Sequence, residues 1–171
     1  MPKPSWTDWQ PLPLTLSPAV LAEILDGGQS FRWAFGDGFW VGIWGSQVAR
    51  LRLDENNRLC WSAPAPLESR MSQAVGDYLG LTGDFETQID SLPWRSDAHL
   101  AACLRAFPGL RLLRQPFGET LLCFLCSSTK QIVQIKQIVA LLARRHGTEI
   151  APGFFRLPTW DELASVSEKQ L

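Results

Sequence analysis

The spacing of apolar residues changes twice between residues 12 and 62. Residues 12–16 form a short apolar run that predicts a strand, and Ser17-Pro18 then marks a helix start, because serine is a good N-cap and proline suits the first helical turn. Apolar residues recur at helical spacing from Val20 to Leu25, and Gly27-Gly28 ends the helix. Four strand-like runs separated by turn residues follow, at 30–35, 39–44, 47–53 and 58–62. This pattern predicts an antiparallel meander.

Helical spacing dominates the rest of the chain. Helices are expected at 67–79 and at 98–107, the second behind an N-cap at Ser96 or Asp97. We therefore assign the α+β class, with an N-terminal antiparallel β-sheet domain and flanking helices at residues 1–115. The first helices of an all-α domain occupy residues 116–171, and the predicted boundary lies near Pro116.

A junction between two helices is the most informative feature of the second half. An apolar run at 121–126 predicts a buried helix, and it stops at Ser127-Ser128. A new amphipathic pattern then begins; its apolar face carries Ile132, Ile135, Val139 and Leu142. We expect Ser128 to be the N-cap, with Gln131 three residues later as in a capping box. Lys130 lies in this polar first turn, where free N–H groups and a cation suit a phosphate or a base edge.

Composition limits the class of protein. A chain of 171 residues that is 46% hydrophobic can bury a core. No apolar run approaches the roughly 18 residues of a membrane span, so no membrane association is expected. The N-terminus lacks the apolar segment of a signal peptide. Four cysteines in a chain of this size favour a reducing, cytoplasmic environment over a disulfide scaffold.

The net charge of −1 conceals an uneven distribution. Residues 105–145 contain seven Lys or Arg residues and a single acidic residue, Glu119, which gives a local charge of +6. Such a segment is where a polyanion would dock. Charge alone leaves a second interpretation open, in which these cations only form solvent-exposed helix faces.

Cys123 and Cys126 have the spacing of a redox or metal motif. A zinc site would need a second pair or suitably spaced histidines, and His99 and His146 lie far apart. Both cysteines fall within the apolar run, so we expect them to pack in the core, and we expect no metal and no cofactor.

Two segments together resemble the 8-oxoguanine DNA glycosylase family of base-excision repair: Gly28-Gln29-Ser30-Phe31-Arg32-Trp33 and residues 109–135. The resemblance implies an antiparallel sheet domain followed by a helical domain with a helix-hairpin-helix motif. It also implies a glycosylase/AP lyase that flips an oxidised purine out of duplex DNA and removes it through a lysine Schiff base. The expected partner is damaged double-stranded DNA, bound by a monomer. The expected location is the nucleoid-associated cytoplasm of a bacterium, or the nucleus of a eukaryote.

The resemblance assigns lesion binding to two residues. Gly28 matches a glycine whose backbone carbonyl accepts the N–H at position 7 of the oxidised guanine, where normal guanine has a lone pair. Local sequence alone allows a second interpretation, in which Gly27-Gly28 only ends the helix. Phe124 matches an aromatic residue that packs beneath the recognition site, whereas the residue taken alone favours ordinary core.

The helix junction departs from the family pattern. The family has consecutive asparagines that fill the gap left by the flipped base, followed by an arginine that reads the opposite cytosine. Here the matching DNA-binding residues are Ser128, Thr129, Lys130, Gln131 and Gln134. They still offer hydroxyl, amide and ammonium groups. The preference for cytosine opposite the lesion stays open.

No catalytic residue is assigned. The family's nucleophilic lysine lies in a hairpin of the Leu-Pro-Gly-Val-Gly-x-Lys kind, with an essential aspartate downstream, and neither motif occurs in this sequence. Lys3, Lys136 and Lys169 have no supporting context, and Asp161-Glu162 fits the first turn of a helix behind Thr159. We therefore expect a chain truncated within the helical domain and inactive alone. The alternatives are a non-catalytic damaged-DNA-binding module and a protein-interaction module.

Overall fold

A five-stranded antiparallel sheet forms the first part of the molecule. The computed structural model describes residues 4–167. The strands of the sheet are β1 (Gln10–Thr15), β2 (Trp33–Gly36), β3 (Phe39–Trp44), β4 (Gln47–Leu53) and β5 (Arg58–Ser62), and helix α1 (Pro18–Asp26) lies between β1 and β2 in the chain. The strand order in the sheet is β1-β5-β4-β3-β2. The predicted meander is confirmed, and β1 adds to its far edge beside β5.

Helices dominate the remaining described residues. They are α2 (Glu68–Tyr78), α3 (Phe85–Asp90), α4 (Ala98–Ala106), α5 (Phe117–Cys126), α6 (Ile132–His146) and α7 (Trp160–Ala164). A small hairpin of β6 (Glu149–Ala151) and β7 (Phe154–Phe155) separates α6 from α7, and 3-10 turns lie at Ala65–Leu67 and Pro93–Arg95. The α+β class is confirmed. Lys3 and Lys169 lie outside the described residues. None of the helices in residues 4–167 is long and apolar enough to span a membrane.

One face of the sheet forms the larger core. Strand register places Trp40, Leu51 and Trp61 side by side on β3, β4 and β5. The buried residues of α1 and α2 join the same cluster. Gly42 permits this packing, because a Cβ at that position would overlap the Trp33 ring at 2.2 Å. Trp33 is consequently only 1% exposed and anchors the start of β2.

A second, smaller cluster lies between α5 and α6. Its buried members are Leu122, Cys123, Ile135, Val139, Ala143 and Leu157. The predicted apolar face of α6 is confirmed at Ile135 and Val139, whereas Ile132 is 45% exposed. The prediction that α5 is a buried helix is wrong. Phe124 is 69% exposed, because α5 buries only the face that packs on α6.

The predicted N-cap at Ser128 is also wrong. Thr129 has a φ of 59° and the Lys130 N–H donates to the Ser127 carbonyl at 3.2 Å, so these residues form a turn between the helices. Helix α6 begins at Ile132, with Gln131 in the extended conformation of an N-cap. The capping box is displaced by three residues and pairs Gln131 with Gln134. At α7 the predicted start is confirmed, since Thr159 and Glu162 form a capping box.

Candidate nucleic-acid interface

The segment 28–33 is held against the chain that precedes α5. The side chain of Gln29 bridges two residues there: its Oε1 accepts the N–H of Leu113 at 2.9 Å, and its Nε2 donates to the carbonyl of Arg111 at 3.2 Å. The side-chain amide of Gln115 donates in return to the carbonyl of Gln29. The side chain of Gln29 therefore pairs with the backbone of Arg111 and Leu113, and its own carbonyl is held by the Gln115 side chain. These bonds fix the position of Gly28 beside it.

Ser30 and Trp33 anchor the same segment on its inner side. The indole N–H of Trp33 donates to the hydroxyl of Tyr78 at 3.0 Å, and Ser30, only 4% exposed, also bonds to Tyr78. Burial raises the pKa of Tyr78 to about 12, while the hydrogen bonds with Trp33 and Ser30 act in the opposite direction. Tyr78 is therefore a neutral phenol at physiological pH. The uncharged Tyr78 side chain therefore supports segment 28–33 from its buried side.

A buried ion pair connects the segment to α5. Arg32 lies 3.0 Å from the Glu119 carboxylate, and the two side chains are only 6% and 11% exposed. The second carboxylate oxygen of Glu119 accepts the N–H of Gly45 at 2.7 Å, and Arg32 also donates to the carbonyl of Phe155. Buried charges are tolerated when their remaining donors and acceptors are satisfied. This pair meets that condition while joining the sheet, α5 and β7.

Gly28 faces the start of α6. It has a φ of +103°, and the one atom within 4 Å of a Cβ built there would be Cδ1 of Ile132, at 3.9 Å. The pair Gly27-Gly28 also ends α1, since Gly27 is the C-cap, with its N–H bonded to the Glu23 carbonyl at 3.0 Å, and Gly28 follows with the positive φ that is common after a C-cap. The two motifs, which are about a hundred residues apart in sequence, therefore meet at one place on the surface. Lesion binding by Gly28 stays a prediction.

The predicted DNA-binding residues are all exposed around this point. They are Ser128, Thr129, Lys130, Gln131 and Gln134. Lys130 forms no ion pair within the described part of the chain. The apolar side chains of Ile132 and Val133 lie between these polar groups, 45% and 63% exposed. The junction thus combines a cation, side-chain amides and accessible apolar surface.

The exposure of Phe124 bears on its two interpretations. A side chain that is 69% exposed is not core, so the core interpretation is wrong. Phe124 lies in the last turn of α5, just before the Ser127–Lys130 turn. Its role beneath a lesion stays a prediction.

The basic segment 105–145 does not form a single positive surface. Lys136 is paired with Asp26 and also donates to the Trp33 carbonyl at 3.3 Å. Arg111 stacks on Phe85 at 4.2 Å, and Arg114 donates to the hydroxyl of Thr82 at 3.0 Å. Several cations of this segment therefore serve structural contacts. Lys130 is the member that lies at the junction.

The cysteines do not form a metal centre with their neighbours. Within residues 4–167, no three His, Cys, Asp or Glu residues lie close enough to hold a metal ion. Cys123 is buried, and Cys126 is packed against the same cluster, which confirms the core interpretation. Burial, assisted by the Glu119 carboxylate, raises the pKa of Cys123 to about 12. Its thiol is therefore protonated and unreactive at neutral pH.

The sequence does not predict the contacts that hold the two motifs together. The partners of Gln29 lie more than 80 residues away, and so does the Glu119 partner of Arg32. The one available signal is that Gln29 and Arg32 are polar residues next to the buried Ser30 and Trp33, where an unpaired amide or charge would be costly. Their partners follow only from the tertiary fold.

Comparison with known proteins decides the family. Residues 11–121 match the 8-oxoguanine DNA glycosylase N-terminal domain. The chain belongs to this family. It is 27% identical over 175 residues to the N-glycosylase/DNA lyase OGG1 of Arabidopsis thaliana, an alignment that covers 95% of the chain and 46% of that protein.

Solved structures agree with this glycosylase-family assignment. MBOgg1 in complex with a low-affinity DNA ligand superposes with a TM-score of 0.71 at 26% identity, covering 85% of this chain and 50% of the other. The 8-oxoguanine glycosylase/lyase of Clostridium acetobutylicum bound to double-stranded DNA with cytosine opposite 8-oxoguanine has the same fold, with a TM-score of 0.73 at 24% identity. That match covers 88% of this chain and 51% of the other. The chain thus spans about half the length of the relatives it matches.

Proposed function

We propose that this chain is the lesion-recognition half of an 8-oxoguanine DNA glycosylase/AP lyase of base-excision repair. The observation that carries the proposal is the meeting of Gly28 with the polar start of α6. One side of this place offers an accessible backbone next to a rigid, hydrogen-bonded segment. The other side offers Lys130 and two side-chain amides at a surface where duplex DNA can approach.

Recognition of the lesion rests on one hydrogen bond. Oxidised guanine has an N–H at position 7, which donates to the carbonyl of Gly28, whereas normal guanine presents a lone pair there and is repelled. A base can reach this carbonyl only when it is flipped out of the duplex, and its edge is then read in a pocket. Phe124 supplies apolar surface close to the flipped base. The contacts of Gln29 and Trp33 keep the carbonyl in place while the base enters.

The start of α6 holds the DNA around the extruded base. Lys130 contacts a backbone phosphate, and Ser128 and Thr129 add hydroxyl donors. Gln131 and Gln134 already use their side-chain oxygens as acceptors in the capping box. Their NH₂ groups remain available to donate, so they suit acceptor atoms on phosphates or on the base opposite the lesion.

Base removal requires the part of the relatives that this chain does not span. There, a lysine would form a Schiff base with the sugar and the strand would be cut by β-elimination. The chain itself supplies recognition, binds as a monomer and needs neither metal nor cofactor. Its location is that of the DNA: the nucleoid-associated cytoplasm of a bacterium or the nucleus of a eukaryote.

The test compares binding of the chain to duplexes that contain 8-oxoguanine or guanine at one position. We expect tighter binding to the lesion, and we expect Gly28→Ala to reduce this selectivity. A Cβ at Gly28 would fit beside Ile132, but a φ of +103° is strained for every residue except glycine. Relief of this strain in Gly28→Ala would rotate the carbonyl away from the base. One hydrogen bond of roughly 1–3 kcal/mol corresponds to a loss of about 5- to 150-fold.

Gly38→Ala is the matched control. Gly38 lies in the β2–β3 turn with φ of +80° and has no neighbour within 4 Å of an added Cβ, whereas the atom nearest to a Cβ at Gly28 belongs to Ile132 of α6. The substitution therefore introduces similar backbone strain without that contact to α6. It should lower the melting temperature without changing selectivity. Equal binding of lesion and normal duplex by the parent chain, or unchanged selectivity in a folded Gly28→Ala variant, would refute the proposal.

A further inference from the structure

Two arginines lie side by side on β4, on the face of the strand opposite to Leu51. Arg50 and Arg52 are two positions apart on β4, so their side chains project to the same side, while Leu51 between them points into the core. Arg50 pairs across the sheet with Val41 and Ser62, and Arg52 pairs with Cys60. We call Arg50 and Arg52 the guanidinium pair.

Three aromatic rings hold the guanidinium pair in place. The guanidinium carbon of Arg50 lies 4.1 Å from the ring centre of Trp6, 5.1 Å from that of Trp9 and 5.0 Å from that of Phe39. Arg52 lies 4.3 Å from the ring centre of Trp9. Stacking of this kind uses the faces of the guanidinium groups and leaves the N–H bonds at their edges free to donate. The rings also restrict the side chains before any ligand arrives.

The charges of the guanidinium pair are not neutralised by carboxylates. Among residues 4–167, no acidic side chain forms an ion pair with Arg50 or Arg52. The pKa of Arg50 is lowered by burial and also by the positive charge of Arg52. Two close cations without a counter-ion form a site that gains energy when an anion binds.

One donor of the pair is left without a partner. The Nη2 of Arg50 donates to the Ser62 hydroxyl at 3.1 Å, and that hydroxyl donates to the Thr7 carbonyl at 2.8 Å. The Nε of Arg50 is buried and has no hydrogen-bond partner among residues 4–167. An unsatisfied buried N–H costs about 1–3 kcal/mol and calls for an acceptor. Because this Nε is not accessible, an anion would be bound by the Nη groups of Arg50 and by the exposed guanidinium of Arg52.

We propose that Arg50 and Arg52 form a phosphate-binding site, separate from the α5–α6 junction. Guanidinium edges match the oxygens of a phosphate, which can accept from both arginines at once. Trp6 contacts Phe154 of β7, so the site lies beside the hairpin that follows the far end of α6. The 15 residues of α6 place that end about 22 Å from the junction. The phosphate belongs either to DNA that extends beyond the lesion or to a small phosphorylated molecule. The site does not depend on lesion recognition.

The first experiment titrates the chain with inorganic phosphate at constant ionic strength and follows tryptophan fluorescence. Trp6 and Trp9 lie against the guanidinium pair, so we expect a saturable signal. Arg52→Gln should weaken phosphate binding at least about tenfold, since it replaces an exposed charge with five N–H donors by a neutral amide with two. Arg58→Gln is the control, because Arg58 is an exposed arginine on β5 that is paired with Asp54. It should leave binding unchanged.

The second experiment measures binding of an undamaged duplex at several salt concentrations. If the phosphate belongs to DNA, Arg52→Gln should reduce the slope of log affinity against log salt by about one, while Arg58→Gln does not. A lost fluorescence response with an unchanged slope would assign the site to a small phosphorylated molecule. Equal melting temperatures would show that both variants fold. If neither the response nor the slope differs between Arg52→Gln and the parent chain, the proposal is wrong and the guanidinium pair only covers the sheet.

Discussion

At the scale of single residues, Lys130 is the cation that the junction presents to solvent. Its backbone N–H is used in the turn with Ser127, and its side chain forms no ion pair within residues 4–167. Lys130→Ala should weaken binding to duplexes of any sequence and reduce the salt slope by about one, because one phosphate contact is lost. Binding titrations at several salt concentrations measure both effects. Arg70→Ala, at an exposed position on α2, is the control; an equal change in both variants would contradict a specific role for Lys130.

The four cysteines differ in solvent exposure, and we expect their rates of alkylation to differ accordingly. Cys103 is exposed, whereas Cys123 is buried with a pKa raised to about 12. Because the thiolate is the reactive form, iodoacetamide at pH 8 should modify Cys103 first and Cys123 last. Mass spectrometry of the native chain at successive times measures the order, and the denatured chain, in which all four cysteines react, is the control. Early modification of Cys123 would mean that α5 opens readily.

At the scale of elements, the capping box of α6 links stability to recognition. The Gln134 side chain accepts the N–H of Gln131 at 3.0 Å, so Gln134→Ala should destabilise the helix start by about 1 kcal/mol. It should also change the preference for the base opposite the lesion, with little effect on the salt slope. Melting curves and titrations with each of the four opposite bases measure these effects.

Gln134→Glu separates the two roles of this side chain. Glutamate at the same position still accepts the Gln131 N–H, and its charge suits the start of a helix. The variant lacks the NH₂ group, so it should keep the stability of the parent chain and still lose the parent's preference for the opposite base. An unchanged base preference in both variants would restrict Gln134 to helix capping.

Element type was predictable from residue spacing, whereas details set by tertiary contacts were not. Alternation and turn residues predict the meander, and an N-cap predicts α1, because both signals are local. The strand expected at 30–35 begins only at Trp33, although the Arg32 carbonyl still accepts the N–H of Ile43 at 3.3 Å. Before it, the Gln29 carbonyl accepts from the Gln115 side chain, outside the sheet. The run at 121–126 is apolar at every position, so it has no period that could predict which face of α5 is buried. The exposure of Phe124 follows from this.

At the scale of the whole molecule, the recognition elements are joined through buried polar contacts. The ion pair of Arg32 with Glu119 connects segment 28–33 to α5, and the ion pair of Lys136 with Asp26 connects α6 to the end of α1. These contacts cross between the two hydrophobic clusters, so Gly28 and the start of α6 keep a fixed separation. A flipped base requires such rigidity, because a displacement of about 1 Å removes a hydrogen bond. The candidate residues could be taken from the sequence motifs, but this arrangement could not.

The last prediction concerns chemistry by the chain alone. The chain matches about half of each glycosylase relative, and the lysines of its described part do not suit the reaction. Lys136 is held by the Asp26 carboxylate, and Lys130 is exposed on a turn, whereas a Schiff-base lysine is activated by burial or by a neighbouring cation. Borohydride treatment of the chain with 8-oxoguanine duplex should therefore give no covalent adduct and no strand cleavage. A full-length glycosylase/lyase relative is the positive control, and a binding assay on the same sample shows that the duplex is bound. An adduct mapped to Lys130 would overturn this prediction and place a nucleophile at the helix junction.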